Sequence, residues 1–211
     1  VVFRALDRVD HAAQTQIPKI MALSMLGQYD AAIECAEQAQ GDFVAQGNRL
    51  GAAKVGHNLG VLHGRRGHYA EAVHHLRRVS VLFAKAGDRE ASVASDINLG
   101  TALTSLGDFD EALRIHARAR MRATTHGFPV LQALVDESVG ILQLARGRYR
   151  EALVGFESAR RSYESLALPH HLTVAERQLA DAYLELRLLP EALALYDRVL
   201  ERLSALGVDD E

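Results

Sequence analysis

The stretch "NLGVLHGRRGHYAEA", Asn58 to Ala72, returns 40 residues later as "NLGTALTSLGDFDEA", Asn98 to Ala112. Both copies contain N-L-G followed by G-x-aromatic-x-E-A. The second glycine of the pattern recurs at steps of 40, at Gly27, Gly67, Gly107 and Gly147, with Arg187 in the fifth copy. A parallel series has Gly47, Gly87, Gly127 and Gly207, with Ala167 in the fourth place. A fixed period without insertions indicates a repeat protein.

Between the glycines, apolar residues are spaced by three and four, as at Leu99, Leu103 and Leu106. This spacing predicts amphipathic helices, and no stretch alternates in the manner of a strand. Each repeat is therefore predicted to be two antiparallel helices of roughly 16–18 residues joined by short turns. We expect a single array over residues 1–211, with repeats at about 8–47, 48–87, 88–127, 128–167 and 168–207 and residues 1–7 as the tail of a preceding repeat.

The glycines have two separate roles. Gly67 and its equivalents follow the first helix of a repeat, where a left-handed residue can close the last turn. Gly60, Gly100 and Gly140 lie inside the first helix, where glycine costs about 1 kcal/mol relative to alanine. That cost predicts a close approach of the paired helix, with Ala72 as the matching small residue. In the first repeat Pro18 lies mid-helix and predicts a kinked or shortened helix.

Composition excludes several classes of protein. The net charge of −3 over 211 residues indicates no polyanion-binding surface, so nucleic acid is not an expected partner. No apolar run reaches the roughly 20 residues of a membrane span, and no secretory signal is present, which favours a cytoplasmic protein. The single Cys35 allows no internal disulfide and fits a reducing compartment. The scarcity of lysine, which occurs only at Lys19, Lys54 and Lys85, is typical of a GC-rich bacterial genome.

No motif for catalysis or metal binding is found. No two of the ten histidines are three or four residues apart, the spacing of a helical pair of metal ligands. There is no G-x-S-x-G nucleophile motif and no glycine-rich phosphate loop. Cys35 lies in an alanine-rich helix, where a buried small side chain is expected. The sequence therefore predicts no catalytic residue, no metal ligand and no cofactor.

The residue identities point to a known repeat family. A step of 40 lies near the HEAT and armadillo range, but the pattern L-G-x2-Y followed by A-x3-F is that of tetratricopeptide repeats. Here Leu59-Gly60-x2-His63 precedes Ala72-x3-Leu76, Leu179-Ala180-x2-Tyr183 precedes Ala192-x3-Tyr196, and Ala152-x3-Phe156 also fits. The chain resembles the long-helix, 40-residue subclass found in kinesin light chain, spindle-orientation adaptors and bacterial signalling proteins. Its last repeat is similar to arrays that precede CHAT-type, caspase-like protease domains.

This resemblance implies an all-α, right-handed α-solenoid of five helix-turn-helix repeats whose first helices line a concave groove. The predicted peptide-binding residues are Lys54, His57, Asn58, Arg65, Asn98, Thr101, Glu137, Arg177, Gln178 and Asp181. Met21, Met25, Val61 and Ser105 are predicted to project from the same faces. In the resembled adaptors, asparagine at the slot of Asn58 and Asn98 contacts a peptide backbone. The alternative, that both amides bond a neighbouring helix inside the array, remains open.

The expected function is a non-enzymatic scaffold that binds a protein or peptide in the groove, within a larger bacterial signalling or regulatory protein. One alternative is a sensory domain whose ligand or signal peptide controls an attached caspase-like protease or transcription regulator. Another is a purely structural role. Phe3 aligns with Phe43 and Phe83, which predicts a longer array with a neighbouring domain. The 189–206 helix is apolar on more than one face, so another helix, or a second copy end to end, is expected to pack on it.

Overall fold

The computed structural model describes the backbone of residues 9–205 and the side chains of residues 15–204. This range contains ten helices of 17 or 18 residues and no strand, which confirms the predicted all-α fold class. The helices are α1 (Val9–Met25), α2 (Tyr29–Ala45), α3 (Arg49–Arg65), α4 (Tyr69–Ala86), α5 (Arg89–Leu106), α6 (Phe109–His126), α7 (Pro129–Ala145), α8 (Tyr149–Ser165), α9 (Pro169–Glu185) and α10 (Leu189–Ala205). The expectations for Phe3, Gly207 and the side chain of Gln14 lie outside the described residues.

The helices belong to two compact units. Unit 1, residues 1–108, contains α1 to α5, and unit 2, residues 109–211, contains α6 to α10. Within each unit every helix packs against the next one in the chain. The boundary falls between α5 and α6, the two helices of the third predicted repeat. A single array over residues 1–211 stays a prediction.

The turns after the first helices share one geometry. Gly67 has φ +79°, and the following N–H, that of His68, donates to the carbonyl oxygen of His63 at 2.9 Å. This left-handed residue closes α3 as the glycine series predicts. Ala167 and Arg187, which replace glycine in the two series, also take positive φ values of +53° and +60°. A side chain is disfavoured in this region, so these two turns carry backbone strain.

The glycines inside the first helices make room for the paired helix. A Cβ atom on Gly60 would lie 2.6 Å from Cγ of Leu76, and one on Gly140 would lie 2.7 Å from Cδ1 of Phe156. Both distances are far below van der Waals contact, so the predicted close approach is confirmed at these positions. The residue accommodated is the large apolar side chain of the second helix, while Ala72 is fully buried beside it.

Pro18 lies in the middle of α1, yet the helix runs from Val9 to Met25 without a break. Pro18 therefore does not shorten the helix, and the alternative, a kink, stays a prediction. Ile20 is buried and Ile17 packs against the same core, which includes residues of α2 and α3. This packing holds the helix on both sides of the proline and offsets the hydrogen bond that the proline removes.

Candidate functional site

The first helices of unit 1 lie side by side, because α3 contacts α1 on one side and α5 on the other. Two cavities adjoin along this surface, and Val61 and Arg65 line both of them. We refer to the surface formed by the lining residues of the two cavities as the unit 1 face. It brings together most of the groove residues predicted for the first three repeats.

The first cavity lies between α1 and α3 and has a volume of about 260 Å³. It is lined by Ile20, Met21, Ser24, Met25, His57, Asn58, Val61, Leu62 and Arg65. Met21 and Met25 are 57% and 84% exposed, so the outer wall is a pair of flexible apolar side chains. Methionine adapts to differently shaped partners, which suits a cavity that receives an apolar side chain.

The second cavity, of about 390 Å³, lies between α3, α4 and α5. Its lining is Gly60, Val61, Gly64, Arg65, Tyr69, Ala72, Leu76, Asn98, Thr101, Ala102 and Ser105. Several of these residues are small, which leaves the space open. The hydroxyl groups of Thr101 and Ser105 donate to carbonyl oxygens of their own helix, at 3.1 and 3.3 Å. They present acceptor lone pairs, and no donor, to the cavity.

His57 connects α3 to α5 through a chain of hydrogen bonds. The hydroxyl of Ser95 donates to the carbonyl oxygen of Ala91 at 2.8 Å, so it accepts from Nδ1–H of His57 at 2.9 Å. Nε2 then carries no proton and accepts from the side-chain amide of Asn98 at 3.4 Å. Burial lowers the pKa of His57, which favours this neutral tautomer. Asn98 is thereby oriented within unit 1.

Asn58 differs from Asn98 because its side-chain amide has no hydrogen-bond partner among residues 15–204. It is half-buried on the wall of the first cavity, so donor and acceptor both remain available. Arg65 donates to the hydroxyl of Ser24 at 2.8 Å but pairs with no carboxylate of the described chain. Lys54, on the same helix, is exposed and also lacks such a partner. Because α3 contains no aspartate or glutamate, its side of the unit 1 face is positively charged.

The residues predicted for unit 2 engage one another instead. Glu137 accepts from the hydroxyl of Tyr163 at 2.6 Å through one oxygen and from the amide of Gln178 at 3.0 Å through the other. Tyr163 is fully buried, and this burial, together with the bond to Glu137, raises the pKa of its hydroxyl. Both oxygens of Glu137 are thus used inside unit 2, which favours a structural role for this carboxylate.

Arg177 and Asp181 are also paired within α9. Their ion pair measures 3.0 Å, and the second oxygen of Asp181 accepts from the hydroxyl of Tyr196 on α10 at 2.7 Å. Arg177 is exposed, so the pair contributes little to stability and can exchange partners. These two residues remain accessible from solvent, unlike the carboxylate of Glu137.

A histidine cluster escaped the sequence analysis. The rings of His63 and His75 stack with centroids 5.4 Å apart, and the ring of His68 lies 5.9 Å from that of His63. Spacing along one helix could not reveal the cluster, because its members come from α3, from α4 and from the turn between them. Burial lowers the pKa of both His63 and His75. Across residues 15–204, no group of three or more His, Cys, Asp or Glu side chains is placed to hold a metal ion.

Two other expectations concern Cys35 and the membrane. Cys35 is buried, donates to Oε1 of Gln16 at 2.8 Å, and has its pKa raised by burial, so its thiol lacks the properties of a nucleophile.

In the part of the chain that the structure describes, every helix is too short or too polar to cross a bilayer.

Comparison with known proteins identifies the repeats. Residues 52–125, which span α3 to α6, match the tetratricopeptide repeat family, and this confirms the suspected relationship for that part of the chain. No curated protein matches the sequence.

Several solved structures share the fold. A Rap protein complexed with Competence and Sporulation Factor superposes with a TM-score of 0.81 at 16% identity, covering 88% of this chain and 52% of the Rap chain. The Rap conjugation gene regulator of plasmid pLS20, in complex with a Phr peptide, gives 0.85 at 16% identity, covering 98% and 57%. A Podosopora anserina protein described as kinesin light chain with nearly identical TPR-like repeats gives 0.66 at 20% identity, covering 92% and 95%.

These likenesses confirm the tetratricopeptide-like helical-repeat fold. At 16–20% identity they show the fold alone. The chain spans about half the length of the two Rap proteins, 52% and 57% of their chains.

Proposed function

We propose that the unit 1 face binds an extended segment of a partner protein or a peptide, and that the chain acts as a scaffold and not as an enzyme. The observation that carries the proposal is the unpaired amide of Asn58 on the wall of the first cavity. A half-buried amide without a partner is available to a ligand, and asparagine can accept from a backbone N–H while donating to a backbone C=O.

The chemistry of the unit 1 face indicates what the segment carries. Met21, Met25 and Val61 offer an apolar cavity large enough for one side chain. Arg65 lies at the junction of the two cavities without a carboxylate partner, and Lys54 adds a second positive charge on α3. The best-fitting segment therefore combines an apolar side chain with a nearby carboxylate, which Arg65 can bind through two hydrogen bonds.

The solved neighbours are consistent with this function. Two of them are Rap proteins whose structures contain a bound peptide or factor, and both share the helical-repeat fold of this chain. A repeat surface that presents side chains from successive first helices is suited to a peptide, because successive slots meet successive residues of an extended chain.

A second candidate function is sensory. One neighbour is a gene regulator bound to a peptide, and a peptide seated on the unit 1 face would contact α1, α3 and α5 together. In this reading the chain belongs to a larger cytoplasmic bacterial protein, and peptide binding controls an attached effector domain. A change in small-angle scattering on peptide addition would favour the sensory function, whereas binding without such a change would favour the scaffold.

The test begins with peptides selected by the whole protein from a displayed random library. Binding of the enriched peptides to Asn58→Ala, measured by fluorescence anisotropy, should be weaker by about 2- to 10-fold, the equivalent of one hydrogen bond. The melting temperature should not change, because Asn58 bonds no other described residue. Gln38→Ala, which removes an exposed amide from α2, is the matched control and should bind normally. Equal binding by Asn58→Ala would refute the proposal.

A further inference from the structure

A third cavity, with a volume of about 310 Å³, lies within unit 2 between α6, α7 and α8. It is lined by Arg120, Asp136, Val139, Gln143, Glu151, Val154, Gly155 and Ser158. We call it the unit 2 cavity, and it shares no lining residue with the unit 1 face. Its volume lies at the lower end of the range of small-molecule sites, which is roughly 300–1,000 Å³.

The unit 2 cavity coincides with three positions at which this repeat has shorter side chains than the other repeats. The position of Val139 holds a buried leucine in three other repeats, at Leu59, Leu99 and Leu179. The position of Gly155 holds Cys35, His75, Ile115 and Leu195. The position of Ser158 holds Gln38, Arg78, Arg118 and Arg198. The fourth repeat therefore leaves open a space that side chains occupy elsewhere.

Gln143 lines this space without a hydrogen-bond partner. The equivalent residue of the second repeat, His63, stacks on His75 with ring centroids 5.4 Å apart, but Gly155 offers Gln143 no side chain to pack against. Oε1 of Gln143 is buried and accepts no hydrogen bond from residues 15–204. The terminal torsion of glutamine is soft, so a modest rotation presents this oxygen to a donor in the cavity. A donor there would satisfy a buried acceptor, which is favourable.

The two ends of the unit 2 cavity differ in charge. Glu151 and Ser158 are seven residues apart on α8, which separates their Cα atoms by about 10 Å. At the Ser158 end, Asp136 accepts from the hydroxyl of Ser158 at 2.6 Å and forms an ion pair with Arg120. The charges of Asp136 and Arg120 thus compensate each other.

The opposite end carries an uncompensated negative charge. Glu151 lies in the first turn of α8 and Gln143 in the last turn of α7, so both are next to the turn that connects the two helices. The carboxylate of Glu151 is exposed and pairs with no cation among the described residues. This end therefore offers a carboxylate and an amide oxygen, both available as acceptors.

A primary ammonium group matches these acceptors. It carries three N–H donors and no acceptor, so it can donate to Gln143 and to Glu151 while its charge compensates that of the carboxylate. Val139 and Val154 line the middle of the cavity, and Val154 is 69% exposed. They offer hydrocarbon contact to a chain attached to the nitrogen. A carboxylate in the same place would be repelled by Glu151.

We propose that the unit 2 cavity binds a primary alkylammonium group on a short hydrocarbon chain, with its nitrogen between Gln143 and Glu151. The group belongs either to a free amine or to a lysine side chain of a partner protein.

The probes are n-butylammonium, n-butanol and butyrate, which share a short chain and differ in the charge of the polar group. Each is titrated into the whole protein to about 50 mM at constant ionic strength, because ligands of so few atoms bind weakly. Butylammonium should shift the methyl resonances of Val139 and Val154 and the side-chain amide resonances of Gln143. Butanol should bind about 5-fold more weakly, since it lacks the charged pair with Glu151, and butyrate should not bind.

Glu151→Gln should weaken butylammonium binding by about 5-fold, the value of one partly exposed charged pair. Glu191→Gln is the matched control, because Glu191 is the equivalent exposed residue of the next repeat, where Leu195 fills the facing position. It should bind as wild type. Gln143→Leu, which introduces the residue type of Leu103, should abolish binding and raise the melting temperature of the free protein.

Nα-acetyl-lysine amide distinguishes the two sources of the ammonium group. Tighter binding of this probe than of butylammonium assigns the group to a lysine of a partner protein, whereas its exclusion assigns it to a free amine. Absence of shifts with butylammonium and with the lysine probe would overturn the proposal. So would equal binding of butanol and butylammonium, or equal losses in Glu151→Gln and Glu191→Gln.

Discussion

Replacing His116 with leucine should reduce the loss of stability that the protein suffers on acidification. His116 lies on α6 with its side chain 1% exposed, and neither ring nitrogen has a hydrogen-bond partner among the described residues. Burial, with a smaller contribution from the charge of Arg120, lowers the pKa of His116 from 6.5 to about 4. The fold therefore holds the neutral imidazole.

The sign and size of the effect follow from proton linkage. Well above pH 6.5 the imidazole is neutral in both states, so it gives no pH dependence. As the pH falls from 6.5 towards 4, the unfolded chain takes up a proton that the folded chain does not, and the free energy of unfolding decreases. Between pH 7 and 5 this histidine accounts for a loss of about 2 kcal/mol, and the loss levels off below about pH 4.

Urea unfolding at pH 7 and pH 5 measures the difference. Wild type should lose about 2 kcal/mol more stability than His116→Leu over this range. At pH 7 the variant should be at least as stable, because it removes two buried nitrogens without partners. His74→Gln, at an exposed position of α4, is the control and should follow wild type. If His116→Leu and wild type lose the same stability between the two pH values, His116 is not buried as a neutral group.

Two further predictions concern the backbone. Gly155→Ala should be clearly destabilising, because its Cβ would lie 2.8 Å from a carbonyl oxygen and 2.9 Å from a Cα of the facing helix, whereas Gly41→Ala, with nothing within 4 Å, should stabilise the protein by about 0.5–1 kcal/mol. The melting temperatures of the two variants measure this difference. Equal changes in both variants would contradict the close approach of α7 and α8 at Gly155. Arg187→Gly and Ala167→Gly should each stabilise the protein by about 1 kcal/mol, since both residues have a positive φ, which disfavours a side chain. A lower melting temperature in both variants would show that these turns are not left-handed.

Much of the fold could be predicted because a single period of 40 residues gives the sequence position of every turn. Gly67 indicated a left-handed turn, and the structure has the same turn even where the glycine is replaced, as at Arg187. Gly60 indicated a close helix crossing, and its partner is Leu76. Pro18 does not shorten α1 as one of its two predicted effects required, because the packing of Ile20 overrides the low helix propensity of proline.

The hydrogen-bond partners at the candidate binding site could not be predicted from the sequence. Asn58 and Asn98 occupy equivalent slots, yet only Asn98 meets a histidine, since that contact joins side chains 41 residues apart in sequence. Glu137 and Gln178 fitted the groove pattern, but Gln178 bonds Glu137, which also bonds Tyr163, and these contacts depend on the way α7, α8 and α9 converge. Periodicity identifies which side of a helix a residue occupies, and it does not identify the partner that the residue meets there.

The central claim, that the unit 1 face takes a peptide through Asn58, is tested most directly by the side-chain amide resonances in a nitrogen–proton correlation spectrum. On titration with a peptide selected by the whole protein, the NH2 signals of Asn58 should shift in proportion to occupancy. Those of Gln178, whose amide is bonded to Glu137 in unit 2, should stay in place. Shifts at Gln178 with unchanged signals from Asn58 would contradict the account.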